Sequence, residues 1–179
     1  MANILQWNIR GYQSNFEELK SAIRKFQGPS CICLQETFHG VQVPFAPSQY
    51  TMVPGTAIAP PASGVRPSRG LITLVNRETP FYVLDINTEL EVLAIRINIG
   101  KEFTVCNIYI SPTENVSTQQ IRLLIDQLPT PFILLGDFNA RSELWGEPLT
   151  NSRGRLIEDI LATTDLSLLN DGSPTHYHV

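Results

Sequence analysis

Short apolar runs separated by polar breaks dominate the chain. Runs rich in β-branched and aromatic residues predict strands, because such side chains fit a pleated, half-buried surface. Three longer stretches instead repeat their apolar residues at helical spacing. The predicted strands cover 3–8, 31–36, 49–53, 71–76, 81–86, 90–99, 102–110, 132–136 and 166–170, and the predicted helices cover 14–26, 117–128 and 152–164.

Two of the predicted helices begin with a capping-box pattern, in which a Ser or Thr precedes a Glu or Gln by three residues. Ser14 and Glu17 form this pattern at the first helix, and Ser117 and Gln120 form it at the second. Gly28-Pro29 ends the first helix and Pro129 follows the second. These signals set the expected helix boundaries.

The order of these elements predicts the fold class. The strands between 71 and 110 follow one another across short breaks, which favours an antiparallel meander. Strand–helix–strand segments flank the meander on both sides. The prediction is one α/β domain over 1–179, with two mixed, mainly antiparallel sheets packed face to face and helices outside.

Composition does not change the predicted fold, and it bears on whether the partner is a nucleic acid. The formal charge is −4, the pI is about 5.3 and mean hydropathy is −0.02, as in an ordinary globular protein. The totals show no strongly basic character, although a local groove with a few Arg residues and a divalent metal can still hold phosphate. Residues 41–70 are rich in Pro, Ala, Ser and Gly and predict a long surface or substrate-side loop.

Cysteine usage and the N-terminus point to an intracellular protein. The three cysteines lie in apolar runs without zinc-ligand spacing, which favours small buried side chains. The first ten residues have neither a basic segment nor a long apolar segment, so no signal peptide is expected. No apolar run reaches the length of a membrane helix, so no membrane partner is expected.

Polar side chains end several of the predicted strands. Asn8 follows "ILQW", Glu36 follows "CICLQ", and Asp137 and Asn139 follow "FILLG". Tyr109 ends another apolar run and carries a hydroxyl that can donate to phosphate. Each could be an ordinary turn or core residue, since Asp and Asn often follow strands. Together at one sheet edge they would form an oxygen-rich site suited to Mg²⁺ or Mn²⁺.

The sequences "LQWNIRG", "CLQET", "CNIYISP" and "LLGDFNA", in that order, resemble the endonuclease/exonuclease/phosphatase family. The resemblance runs from residue 3 to about residue 177. It implies a four-layered α/β sandwich and metal-assisted hydrolysis of a phosphodiester, in which Mg²⁺ or Mn²⁺ offsets charge on the phosphoryl oxygens.

The resemblance also implies a role for each strand-end residue. Glu36 corresponds to the metal ligand, and Asp137 to the carboxylate that orients and deprotonates the attacking water. Asn139 corresponds to its companion at the scissile phosphate, and Tyr109 to a phosphate-contacting tyrosine. Asn8 corresponds to the amide that supports the metal and the Asp137 network.

The sequence after Asn139 resembles one branch of that family. "LWG" and then "NSRGRLIEDILATT" and "LLNDGSPT" are similar to an insect-rich group of non-LTR retrotransposon endonuclease domains. The branch implies a DNA endonuclease that nicks target DNA and leaves a 3′-hydroxyl for reverse transcription. It also implies a downstream reverse transcriptase in the same polyprotein and a nuclear site of action. The expected substrate contacts are Arg10, Arg69 and Thr175, with Arg66 as a further groove cation.

Two departures from the family pattern bear on activity. Phe38 stands where some repair enzymes have a basic residue, and His39 beside it is expected on a surface loop. The family's Ser-Asp-His motif, whose histidine contacts the scissile phosphate, does not occur in these 179 residues. His176 and His178 come too early to replace it. The last strands of one sheet are expected to be missing with that motif.

Two alternative functions stay open at the sequence level. The same fold could act on lipid or inositol head groups, since arginines in the Pro-rich loop suit either substrate. The chain could also be a non-catalytic remnant, which would bind Mg²⁺ weakly and cleave little or no DNA. The sequence does not predict which DNA sites would be preferred, because loops and DNA deformability decide that.

Overall fold

A computed structural model describes residues 3–40, 43–55 and 69–173. The first sheet contains β1 (Ile4–Asn8), β2 (Cys31–Gln35), β3 (Tyr50–Pro54) and β4 (Ile72–Asn76), and the second contains β5 (Phe81–Val83), β6 (Glu91–Asn98), β7 (Glu102–Tyr109) and β8 (Phe132–Asp137). The helices are α1 (Phe16–Lys25), α2 (Thr118–Ile125) and α3 (Ser152–Ala162), and a 3₁₀ turn covers Glu143–Trp145. None of the helices in these ranges is long and apolar enough to cross a membrane.

Both sheets mix parallel and antiparallel pairs. The first has the order β1-β2-β4-β3 and the second the order β5-β6-β7-β8. β1 pairs parallel with β2 across α1, and β7 pairs parallel with β8 across α2. The other pairs are antiparallel. Each parallel pair requires a crossover connection, here a helix, because its two strands must start from the same end.

Three apolar clusters produce four layers. One lies between the sheets, one between the first sheet and α1, and one between the second sheet and α2 with α3. Cys31 and Val105 are fully buried in the first, Leu19 in the second and Leu124 in the third. The predicted sandwich with helices outside is confirmed.

Two strand predictions were wrong. The meander covers only β5, β6 and β7, because the chain leaves the first sheet after β4 and enters the second at β5. Residues 166–170 form no strand in the described structure, where Leu168 and Leu169 are exposed. An apolar run specifies a strand only when a neighbouring strand is available for pairing.

Of the two predicted capping boxes, the one at α2 is confirmed and the one at α1 was wrong. Ser117 and Gln120 form the reciprocal capping box at α2. At α1 the N-cap is Asn15, not Ser14, and no side chain caps the helix. Asn15 instead donates from Nδ2 to the carbonyl of Ile9 at 2.6 Å, which ties the helix to the loop after β1.

Gly136 explains how β8 can lie against β7. Its φ is +148°, and a Cβ at this position would lie 1.9 Å from the carbonyl oxygen of Ile108. Only glycine fits so close to a neighbouring backbone. The absence of a side chain therefore permits the close approach just before Asp137 leaves the strand.

Candidate active site

The two parallel strand pairs bring the predicted residues to one edge of the sandwich. Asn8 ends β1, and Glu36 follows directly after β2. Tyr109 ends β7 and is in register with Asp137 at the end of β8. Since parallel strands end on the same side, both sheets contribute side chains to this edge.

A single amide joins the two carboxylates. Asn8 donates from Nδ2 to Oε1 of Glu36 at 2.8 Å and to Oδ2 of Asp137 at 2.7 Å. Tyr109 donates its hydroxyl proton to the same Oε1 of Glu36 at 3.1 Å. The structure thus brings together four of the predicted site residues in one hydrogen-bonded group.

Asn139 belongs to the turn that follows Asp137. Its backbone N–H donates to Oδ1 of Asp137 at 2.9 Å, and its Nδ2 donates to the carbonyl of Ile110 at 3.0 Å. Its φ is +49°, which is uncommon for a residue other than glycine. The turn therefore fixes Asp137 and Asn139 relative to each other.

Left-handed backbone is concentrated around this edge. Glu36 has φ +49° and Arg69 has φ +67°, in addition to Asn139. Arg10 and Phe38, on loops that adjoin Glu36, have φ +47° and φ +51°. A residue other than glycine with left-handed backbone is strained, and it keeps this conformation only where its surroundings fix it. Such residues are frequent at functional sites.

Burial and negative charge determine the protonation of two groups near the carboxylates. Burial, then the charge of Glu36 and its hydrogen bond, raises the pKa of the Tyr109 hydroxyl well above its ordinary value. Tyr109 is therefore a hydrogen-bond donor at neutral pH. Burial also raises the pKa of Glu91, although the N–H of Gly70, at 2.8 Å, opposes this.

Two of the residues predicted to contact substrate, Arg69 and Arg10, lie on different loops of the described structure. Arg69 lies at the start of the segment leading to β4 and pairs with Glu114 across the two sheets at 3.2 Å. Arg10 is exposed on the loop after β1, where its N–H donates to Oδ1 of Asn8 at 3.3 Å. Thr175 and Arg66, like His176 and His178, lie outside the described residues.

His39 is buried, so the prediction of a surface-loop histidine was wrong. It is 7% exposed, and its Nδ1 is 2.6 Å from Oγ1 of Thr37. Burial lowers its pKa and favours the neutral ring. Gly70 packs against both side chains, since a Cβ there would lie 2.7 Å from Oγ1 of Thr37. Tertiary contact with the chain before β4 thus buries the ring.

The donor chemistry at this edge fits a hard divalent cation. In the described part of the chain, neither Glu36 nor Asp137 has a salt bridge, and Oε2 of Glu36 accepts no hydrogen bond. No group of three or more His, Cys, Asp or Glu side chains that could hold a metal occurs in residues 3–40, 43–55 and 69–173. Two carboxylates match the way Mg²⁺ is held, which uses one or two carboxylates together with substrate phosphates.

A buried polar bridge behind the site was not predicted. Gln35 donates from Nε2 to Oδ1 of Asn107 at 2.7 Å, and Asn107 donates to Oγ1 of Thr73 at 3.3 Å. All three side chains are fully buried, and the bridge joins the two sheets one residue before Glu36. The signal in the sequence was the isolated Asn inside the apolar run "TVCNIY".

Comparison with known proteins gives a consistent match. Residues 103–179 match a family model described as "Endonuclease-reverse transcriptase". A probable RNA-directed DNA polymerase from transposon X-element of Drosophila melanogaster is 24% identical over 97% of this chain. This chain spans only 19% of that relative's length.

Solved structures show the same fold. The endonuclease domain of TRAS1, a telomere-specific non-LTR retrotransposon, superposes with a TM-score of 0.70 at 22% identity, covering 96% of this chain and 74% of that one. The 3′ phosphatase NExo from Neisseria, bound to a product DNA hairpin, gives a TM-score of 0.58 at 15% identity over 90% of this chain and 71% of that one. The chain therefore has the fold of the TRAS1 endonuclease domain, and the sequence of its C-terminal part is similar to the endonuclease-reverse transcriptase family.

Proposed function

We propose that this chain is a metal-dependent phosphodiesterase that nicks one strand of DNA. The observation that carries the proposal is the convergence of Glu36, Asn8, Tyr109 and Asp137 at one edge, where three hydrogen bonds link the four side chains. Phosphodiester hydrolysis needs a water activated on one side of the phosphorus and compensation for charge on the phosphoryl oxygens. This edge contains groups for both tasks.

Each residue has a distinct task in this proposal. Asp137 orients and deprotonates the attacking water, because its carboxylate is held by Asn8 and by the N–H of Asn139. Tyr109 stays protonated and donates to Glu36 or to a phosphate oxygen. Asn139 contributes its amide at the scissile phosphate.

Glu36 and Asn8 would hold the metal, which is Mg²⁺ or, as an alternative, Mn²⁺. When bound, the metal supplies positive charge to the phosphoryl oxygens of the substrate. Asn8 keeps Glu36 and Asp137 close together in its absence, because two like-charged carboxylates would otherwise separate. Arg69 and Arg10 are proposed to contact the DNA backbone beside the site.

DNA is favoured as the substrate by the relatives. The matched family and the X-element relative are named for reverse transcription, and the NExo structure holds a DNA product. Nicking that leaves a 3′-hydroxyl would prime a reverse transcriptase domain further along the same polyprotein. The proposed site of action is then the nucleus, where target DNA lies.

Substrate choice is tested with the polypeptide encoded by the complete reading frame that contains these residues. It is incubated with Mg²⁺ and either supercoiled plasmid or a phosphoinositide, and nicked ends are extended with a DNA polymerase without prior end repair. We expect open circles whose ends are extended directly and no release of phosphate from the lipid. Release of phosphate from the phosphoinositide without plasmid nicking would assign the site to lipid head groups instead.

A further inference from the structure

The turn that carries Asp137 and Asn139 is held by the first turn of α3. Asn151, which caps α3, donates from Nδ2 to the carbonyl of Asn139 at 3.2 Å. Its Oδ1 accepts from the N–H of Gly154 at 2.7 Å and from the N–H of Arg141 at 3.1 Å. One side chain therefore joins the start of the helix to both ends of the turn.

Arg153 holds carbonyl groups on the other side of the turn. Its Nη1 donates to the carbonyl of Phe138 at 3.0 Å and to that of Ile110 at 3.3 Å. The carbonyl of Ile110 also accepts from Nδ2 of Asn139, so Arg153 and Asn139 share one acceptor. The guanidinium group suits this task because its donors form a rigid, planar fork.

Gly154 makes the contact between helix and turn sterically feasible. A Cβ at this position would lie 1.8 Å from the carbonyl oxygen of Arg141. The pair Arg153-Gly154, which the sequence presents only as a helix entry, thus has two linked tasks. The arginine bonds the turn, and the glycine lets the helix come close enough for those bonds.

Asn139 needs such support. Its left-handed backbone, with φ +49°, is strained and persists only where neighbouring groups fix it. Asn151 bonds the carbonyl of Asn139 itself, and Arg153 bonds the carbonyl of the preceding residue, Phe138.

We propose that Asn151 and Arg153 are positioning residues, which fix the turn so that the amide of Asn139 meets the scissile phosphate beside Asp137. The consequence for catalysis rests on the proposed function, whereas the support of the turn does not. Both parts of the proposal are therefore tested separately, first without substrate and then with it.

Asn151→Asp is the sharpest variant for the first test. The carboxylate can still accept from the N–H groups of Gly154 and Arg141, so the helix cap is kept, while the donor to Asn139 is lost. Arg153→Lys removes the fork and keeps the charge. Arg155→Lys, the same substitution at an exposed position of α3, is the matched control.

Amide hydrogen exchange without DNA or metal measures the support of the turn. We expect exchange over residues 137–141 to be about tenfold faster in Asn151→Asp and Arg153→Lys, as the loss of one hydrogen bond worth about 1.4 kcal/mol predicts. Exchange over α2 should not change, and Arg155→Lys should match wild type. Unchanged exchange over 137–141 in both variants would overturn the proposal.

Nicking kinetics test the catalytic part. We expect Asn151→Asp to lower kcat about tenfold without changing KM, and to have no further effect when Asn139 is already replaced by Ala, because it acts through that residue. An equal loss in the Asn139→Ala background would show a general structural role and contradict the positioning. Absence of nicking by wild type would reject the proposed function, while the exchange data would still decide whether the turn is supported.

Discussion

At the residue scale, the two carboxylates of the site, Glu36 and Asp137, share few hydrogen-bond donors. Asn8 offers one NH₂ group to two carboxylates, and Tyr109 adds one hydroxyl. Sequence alone indicated these residues, because each ends an apolar run and a buried run fixes where the next side chain emerges. It could not indicate that Glu91 is half-buried and His39 buried, since their burial comes from segments distant in the sequence.

Tyr109→Phe removes one hydrogen bond to a charged carboxylate, Glu36. Such a bond contributes about 1.5–3 kcal/mol, so we expect nicking to fall about 10- to 100-fold. Because burial and Glu36 raise the pKa of Tyr109, the hydroxyl is not titrated below about pH 10, and wild-type activity should show no loss from this group between pH 7 and pH 9. Plasmid nicking across this pH range measures both effects, and equal rates for variant and wild type would remove Tyr109 from the site.

Glu91→Gln should stabilise the fold at neutral pH. The folded protein favours the protonated form of Glu91. The contribution of the protonated carboxyl to the free energy of unfolding is fully present below the ordinary pKa of 4.5, and it is lost as pH rises through the raised, folded-state pKa. Gln keeps an acceptor for the N–H of Gly70 without the charge. We expect a higher urea midpoint than wild type at pH 7 and a smaller difference near pH 4.

The exposed neighbour Glu89 provides the control for that measurement. Glu89→Gln removes the same charge from a position in water, so its midpoint should stay close to that of wild type at both pH values. A Glu91→Gln variant that is less stable than wild type at pH 7 would show that the ionised carboxylate of Glu91 is stabilised in the folded protein.

At the scale of elements, the candidate site is built from the ends of strands and not from their centres. Apolar runs predicted β1 to β8 within a few residues, and the capping box predicted the start of α2. The start of α1 was wrong because Asn15, not Ser14, takes the cap position and bonds the loop after β1. Local pattern therefore identifies an element, while its tertiary contacts decide its last residue.

Gly136→Ala tests the close approach of β8 to β7. The added Cβ would lie 1.9 Å from the carbonyl of Ile108, so backbone must shift, and we expect a loss of about 2 kcal/mol or more in the free energy of unfolding. Gly100→Ala is the control, because Gly100 also has a positive φ of +94° but no atom within 4 Å of the added group. It should cost about 1 kcal/mol. Equal costs in urea unfolding would mean that the contact with Ile108 carries no weight.

At the scale of the whole molecule, two parallel strand pairs, one in each sheet, create the site. The order of elements was enough to predict an α/β sandwich with helices outside. It did not show that the chain changes sheets between β4 and β5, because Asn76 and Phe81 are separated by an ordinary turn in either arrangement. The bridge of Gln35 and Asn107 between the sheets also depended on this pairing.

The proposed reaction requires that Glu36 and Asp137 form one hydrolytic site with a bound metal. It is tested by conversion of supercoiled plasmid to open circles in Mg²⁺, using the polypeptide of the complete reading frame, its Asp137→Ala variant and its Glu36→Gln variant. We predict nicking by wild type that EDTA abolishes, and a loss of at least about 100-fold in each variant, since a positioned general base alone contributes 10²–10⁴-fold. Nicking by the Asp137→Ala variant at the wild-type rate, or no nicking by wild type, would show that these residues do not form such a site.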